Sequence, residues 1–537
     1  CDLSQTRWES FLPMISAPFF PPKISSVIIS NFWRKALVLT GLGAALGSCD
    51  AVPHAGALVP ALAAPTTEFL SAAALKVEPK VLRTLAAQPR MQVMILLSAQ
   101  ADLRAAYELA DGRERGRFVY RQLTEIAAQT QGPVRQLLSQ RSFSFQPFWV
   151  ANVIAATIDE KTVQELAQRG DVQRIEASLE LPWIEDEAIA QRTLTATHLL
   201  PAMAEWGVQN VRAPEVWDQG FSGQGVVVAG ADTGISWEHP ALRRQYRGTR
   251  GVSAVHDYSW HDAIHDSTGN PCGNDSQVPC DDGSHGTHTI GTVVGDDGVG
   301  NRVGVAPGAK WIGCRNMAKG MGTPARYSEC FQFFIAPTDL SGNSPDPDQR
   351  PHVINNSWGC PTSEGCAPNT LKLIVENTQA AGIFVEASAG NSGPGCSSIN
   401  DAPGMYGAAF STGAIDSSNR LVGFSSRGPV TADGSSRSKP DLSAPGSRVR
   451  SSVPGGRYSL MSGTSMAGPH VVGVVALLWS ARPEYVRQIA ASQQLLRASA
   501  NPSVSVRTEV CGGLSSDFVP NNSFGFGRVD AYEAVNW

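Results

Sequence analysis

Short runs of apolar and β-branched residues punctuate the second half of the chain, at 225–231, 310–314, 352–357, 382–387 and 408–415. None alternates cleanly between apolar and polar. A run that is apolar throughout suits a strand buried on both faces of a parallel sheet. Residues 370–380, between two of the runs, read as a helix. Residues 465–479 are apolar almost all round, through Val471, Val472, Val474, Val475, Leu477 and Leu478. A helix of that kind belongs in the centre of a domain. Alternating β and α elements predict an α/β fold, a doubly wound, mostly parallel sheet with helices on both faces.

A smaller unit precedes it. Residues 91–98 form a β-like run, 102–140 carry helical patterning, and 148–158 read as a second strand. Asp159 caps a helix that places Val163, Leu166 and Ala167 on one face and stops at Gly170. A third strand is read from the alternation of Ile175, Ala177, Leu179 and Leu181. This β-α-β-α-β order predicts a small α+β domain over 69–190, ahead of a larger domain over 200–537. Residues 50–68 are rich in Ala and Pro and read as a linker.

The first 49 residues read as a leader. Arg34 and Lys35 precede a short apolar run, 36–46, which ends at Gly47-Ser48-Cys49. A charged start, a short apolar middle and small residues after it make a secretory signal. Leu46-Gly47-Ser48-Cys49 also resembles a lipobox, which would tether the protein to a membrane by lipid on Cys49. Ordinary cleavage near Ala61-Leu62-Ala63 is the alternative.

Composition narrows the field. Of 537 residues, 42% are apolar and 17% charged, so a large core is expected and general disorder is not. A net charge of -5 with no dense basic run argues against a nucleic-acid partner. Eight of the ten cysteines lie beyond residue 270. An even set confined to one exported domain reads as disulfides, with Cys272–Cys280 and Cys360–Cys366 the pairs most readily defended. A zinc ribbon is the competing reading, but no CxxC pair occurs.

Three segments carry candidate chemistry. Asp232, in Ala231-Asp232-Thr233-Gly234, ends an apolar strand, where α/β proteins place their sites. It can hold an imidazole in one tautomer, or merely make a turn. His285, in His285-Gly286-Thr287-His288, is the candidate general base, with His288 a packed helical residue. A metal reading of the His pair lacks the HExxH arrangement. Ser465, in Gly463-Thr464-Ser465-Met466-Ala467, opens the buried helix, where free N–H groups favour an oxygen nucleophile. Alone, it could be an N-cap. Asn391, in Gly390-Asn391-Ser392-Gly393, follows a strand and could donate to an oxyanion or make a turn.

Taken together, the order Asp, His, Ser distinguishes this chain from α/β-hydrolases and chymotrypsin-like barrels. The segments around Asp232, His285, Asn391 and Ser465, with Asn355-Asn356-Ser357-Trp358-Gly359, resemble the subtilisin (subtilase) family of serine peptidases. Cysteine-rich insertions and Trp237–Pro240 resemble the bacillopeptidase F-like subgroup most. The resemblance implies an exported serine endopeptidase acting on protein or peptide substrates through an acyl-enzyme. It also implies that the small unit is a propeptide, serving as intramolecular inhibitor until autoprocessing. Ser357, Trp358 and Gly359 would pair with substrate backbone, and Ser388, Ala389 and Gly390 would line the S1 pocket. No cofactor is required on this reading. Many members bind structural Ca2+, and the loop Asp296-Asp297-Gly298-Val299-Gly300-Asn301 stands where such a site would be, with a plain solvated turn as the other reading.

Overall fold

A computed structural model describes residues 74–182, 204–361 and 366–537. The leader, the lipobox at Cys49 and the Ala/Pro linker lie outside the described residues.

The N-terminal unit is a four-stranded antiparallel sheet with helices. Its order along the chain is α1 (Pro79–Leu85), β1 (Met91–Leu97), α2 (Gly112–Thr130), α3 (Gly132–Gln140), β2 (Phe145–Phe148), β3 (Val153–Ile158), α4 (Glu160–Gln168) and β4 (Val172–Ala177). In space the strands run β2-β3-β1-β4. Asp159 does cap α4, accepting from the Thr162 N–H at 2.8 Å. The expected strand over 148–158 is instead a hairpin, because Asn152 takes a left-handed φ of 47° and turns the chain. Val150 is buried in that turn, so its apolarity imitates a strand. Pro147 cannot donate to a ladder, and β2 accordingly lies on the sheet edge.

Both faces of β1 are buried. Val93, Ile95 and Leu97 pack on Val134, Leu138, Val163 and Leu166 of its own unit. Met94 and Leu96 point the other way, into a cluster that also holds Phe333, Phe334, Ile374 and Val375 of the larger domain. This two-sided burial explains why β1 reads as a continuous apolar run.

The expected third strand also divides. β4 ends at Ala177, and the chain then leaves the sheet to form β5 (Leu181–Pro182). β5 pairs antiparallel with a hairpin of the larger domain.

That domain is built on seven parallel strands. They are β6 (Val227–Asp232), β7 (Trp260–Asp262), β8 (Lys310–Arg315), β11 (Val353–Asn356), β12 (Phe384–Ser388), β13 (Phe410–Ile415) and β14 (Leu442–Pro445). The hairpin that receives β5 is β9 (Met317–Ala318) with β10 (Met321–Gly322). The sheet order is β14-β13-β12-β11-β6-β8-β7. Order reverses at β6, so the crevice at its carboxyl end is the switch point where such folds bind ligands. The expected doubly wound fold is therefore observed. One face carries α6 (Pro324–Ile335) and α7 (Lys372–Ala380). The other carries α5 (His285–Val294) and the buried α8 (Thr464–Ala481).

Four disulfides tie the larger domain: Cys272–Cys280, Cys314–Cys330, Cys360–Cys366 and Cys396–Cys511. The first and third were legible from spacing. The other two join cysteines brought close by the fold.

Candidate active site

Asp232 is the last residue of β6 and is buried. Its carboxylate lies 2.8 and 3.0 Å from Nδ1 of His285, the first residue of α5. The Thr233 N–H donates to the same carboxylate at 2.8 Å. The imidazole therefore has its Nδ1–H engaged, which leaves Nε2 as the basic nitrogen. Burial pushes the imidazole toward its neutral form, but the Asp232 charge and hydrogen bond outweigh it and hold the His285 pKa above its ordinary value.

Two glycines permit this approach. A Cβ on Gly286 would lie 2.1 Å from the Gly234 carbonyl oxygen and 2.9 Å from the Asp232 Cβ. Gly234 has φ 107°, and a Cβ there would lie 1.8 Å from the Cys280 carbonyl oxygen.

Sequence reasoning missed Asp281. Its Oδ1 accepts from Thr233 Oγ1 and from the Gly283 and Ser284 N–H groups, and its Oδ2 from Thr287 N–H and Oγ1. Burial raises its pKa. This carboxylate ties the loop before α5 to the turn after β6. The signal was available: an Asp placed just ahead of a helix start favours the N-terminal dipole. His288, by contrast, is buried with Nε2 facing the Val449 and Ser459 carbonyls, and burial drives its pKa down to about 3.

Ser465 stands in the first turn of α8, half-buried. Its hydroxyl donates to the Ser357 carbonyl at 3.1 Å, and the Ser357 hydroxyl donates back to the Ser465 carbonyl at 2.9 Å. Ser465 and Ser357 are thus brought together, while no hydrogen bond joins Ser465 Oγ to His285 in this structure. Asn391 reaches the same helix start. Its Oδ1 accepts from both the N–H and the hydroxyl of Thr464, each at 2.9 Å. A backbone N–H can only donate, so the amide carbonyl faces Thr464 and the NH2 faces away.

The remaining residues sort differently. Trp358 is buried, stacked on Tyr327 at 4.0 Å between ring centroids. Its side chain is core, and only its backbone could meet a substrate. Gly359 is buried beside it. Ser388 ends β12, the Ala389 N–H donates to the Thr412 carbonyl, and the Gly390 carbonyl accepts from the Ser426 N–H.

The calcium loop does not fit its ion. Asp297 accepts from the Val299 and Asn301 N–H groups, Asn301 Nδ2 and Tyr458 OH. The Asn301 Oδ1 accepts from the Arg450 guanidinium at 2.8 Å. Oxygens that a cation would need are held by protein donors, one of them cationic. Among the described residues no group of three or more His, Cys, Asp or Glu side chains is arranged to hold a metal.

A carboxylate-paired imidazole lies at the carboxyl end of β6, and a serine at a helix N-terminus lies with an anchored amide beside the carboxyl ends of β11 and β12 of the same α/β sheet. The chain belongs to the subtilase family, whose model matches residues 223–527. It is 36% identical to Bacillopeptidase F of Bacillus subtilis (strain 168) over 405 residues, which is 72% of this chain and 26% of that protein. It is 31% identical to Subtilisin E of the same strain over 363 residues, 67% of this chain and 79% of the relative. M-protease of Shouchella clausii (strain KSM-K16) is 32% identical over 316 residues, 59% of this chain and 68% of the relative. The chain thus spans about a quarter of the length of Bacillopeptidase F.

Proposed function

We propose that this chain is a serine endopeptidase, exported as a precursor, that cleaves peptide bonds through an acyl-enzyme on Ser465. The buried Asp232–His285 pair, with Ser465 at the start of α8, carries the reading. His285 Nε2 takes the Ser465 proton and later returns it to the leaving amine. For this the Ser465 hydroxyl turns away from the Ser357 carbonyl. Asp232 fixes the tautomer and stabilises the imidazolium. The Asn391 NH2 and the free N–H groups of the helix start stabilise the oxyanion. Ser357–Gly359 would pair with substrate backbone, and Ser388–Gly390 would wall the S1 pocket.

Residues 69–190 act as propeptide on this reading. The pairing of β5 with β10 supports it, since a chain segment added to a hairpin edge is how an extended peptide binds. Processing would fall between Pro182 and Trp206. Four disulfides in the larger domain agree with export. Lipid attachment through Cys49 remains a separate proposal, tested by palmitate labelling of the wild type and of Cys49→Ala.

A fluorophosphonate probe should label the protein stoichiometrically and fail on Ser465→Ala. The same variant should accumulate as uncleaved precursor when expressed without other proteases. Equal labelling of both proteins would overturn the assignment.

A further inference from the structure

The first turn of α6 holds a cation that the reaction above does not use. Arg326 is the third residue of that helix, and its own N–H is capped by Thr323 Oγ1 at 3.2 Å. Its guanidinium is buried, with the side chain 8% exposed. One arm donates to Glu180 Oε1 at 2.6 Å and another to Asp266 Oδ1 at 2.9 Å. The two acceptors differ in origin. Asp266 belongs to the long insertion between Asp232 and His285, and its side chain is 76% exposed. Glu180 immediately precedes β5, the strand that lies antiparallel on β10 with Leu181 opposite Gly322 and Pro182 opposite Met321. Both acidic side chains and Arg326 line a cavity of about 360 Å3 between the N-terminal unit and the larger domain.

We infer that Arg326 determines substrate specificity by selecting an acidic side chain at the position Glu180 occupies. The inference rests on the reading of the chain as an endopeptidase whose propeptide tail lies as a substrate would. When that tail leaves, the β10 edge is open, and Arg326 retains one carboxylate, Asp266, which is hydrated. The arm that held Glu180 then faces the opened cavity without its carboxylate. A substrate strand that adds to β10 in the register of β5 brings its own side chain to that arm. A carboxylate there forms a charge-assisted hydrogen bond, which a neutral amide matches only weakly and a lysine opposes. Asp266 competes for the same cation, so it tempers the preference.

The test uses the processed enzyme and internally quenched peptides in which a Glu or a Gln is moved one position at a time through the residues N-terminal to the scissile bond. At one position kcat/KM should favour Glu over Gln by about tenfold, the margin by which a charge-assisted hydrogen bond exceeds a neutral one. In Arg326→Gln that ratio should fall to near one, and in Asp266→Asn it should rise. Cleavage of the peptides with no Glu preference at any position, or a preference that survives Arg326→Gln, would overturn the inference and leave the endopeptidase reading standing. Failure of the wild type to cleave any peptide would overturn both.

Discussion

Asp281→Asn isolates a carboxylate that touches neither substrate nor the reacting atoms. The substitution keeps the volume and replaces one acceptor oxygen by an NH2. Three donors converge on Oδ1 and two, both from Thr287, on Oδ2. With the amide oxygen on the three-donor side, the NH2 meets the Thr287 N–H, donor against donor. The Thr287 hydroxyl can turn to accept, but its backbone N–H cannot. One buried N–H left unsatisfied costs about 1–3 kcal/mol. Losing a negative charge at a helix N-terminus adds about 0.3–1 kcal/mol. Thermal unfolding in a Ser465→Ala background, where autolysis is absent, should therefore show a clear loss of stability. In the active enzyme the start of α5 would shift and carry His285 with it. A displacement near 1 Å at a catalytic group costs roughly 100-fold, so kcat should fall about 10- to 100-fold. The pH profile adds a sign. Asp281 is one of the negative charges that raise the His285 pKa. Its removal lowers that pKa, and the working form of His285 is the free base. The acid limb of kcat/KM should move to lower pH. An unchanged melting temperature together with an acid limb that stays in place or moves up would refute the argument.

Two further outcomes follow from other residues. Asn391→Ala should lower kcat by about 100- to 1000-fold with little change in KM, a size borrowed from subtilisin itself, and kcat within about threefold of wild type would make Asn391 a turn residue only. Burial raises the Glu386 pKa well above its ordinary value. A carboxyl shifted upward contributes stability at low pH that is lost as pH rises through the folded pKa, so Glu386→Gln should melt higher than wild type at pH 8 and no higher near pH 4; a constant difference across that range would exclude this account.

The placements of Asp232, His285 and Ser465, at a strand end and at two helix starts, were legible because each lies in a local setting that announces itself. The apolar runs located five of the seven parallel strands for the same reason. β14 was not among them, since Leu442-Ser443-Ala444-Pro445 has no apolar run and is a strand only because β13 lies beside it. β7 is a strand only through its pairing with β8. Whether the Asp296–Asn301 loop could hold calcium depended on Arg450, remote in sequence, which no local pattern reveals. Leu181 seemed to extend the strand of Ile175 and Ala177 because alternation says which face a residue takes, and not which sheet it joins.

The position of β6 in the middle of the sheet sets the order in which this molecule can be built. Its neighbours are β8 and β11, both synthesised much later. At about 5–20 residues per second, the ribosome needs roughly 10–50 s to travel from Asp232 to Ser465. β6 has its ladder groups unmet until β8 and then β11 emerge, the second about halfway through that interval. The N-terminal unit, made first and joined largely by antiparallel pairing within itself, already offers Met94 and Leu96 as a surface on which α6 and α7 can settle. Pairing between distant segments is slow, and a surface ready in advance shortens the search. α8 follows all seven strands and closes the opposite face. Since Ser465 travels with it, on the proposed function a chain not yet extended to α8 carries the acid and the base but no nucleophile, so the order of synthesis itself guards against premature cutting.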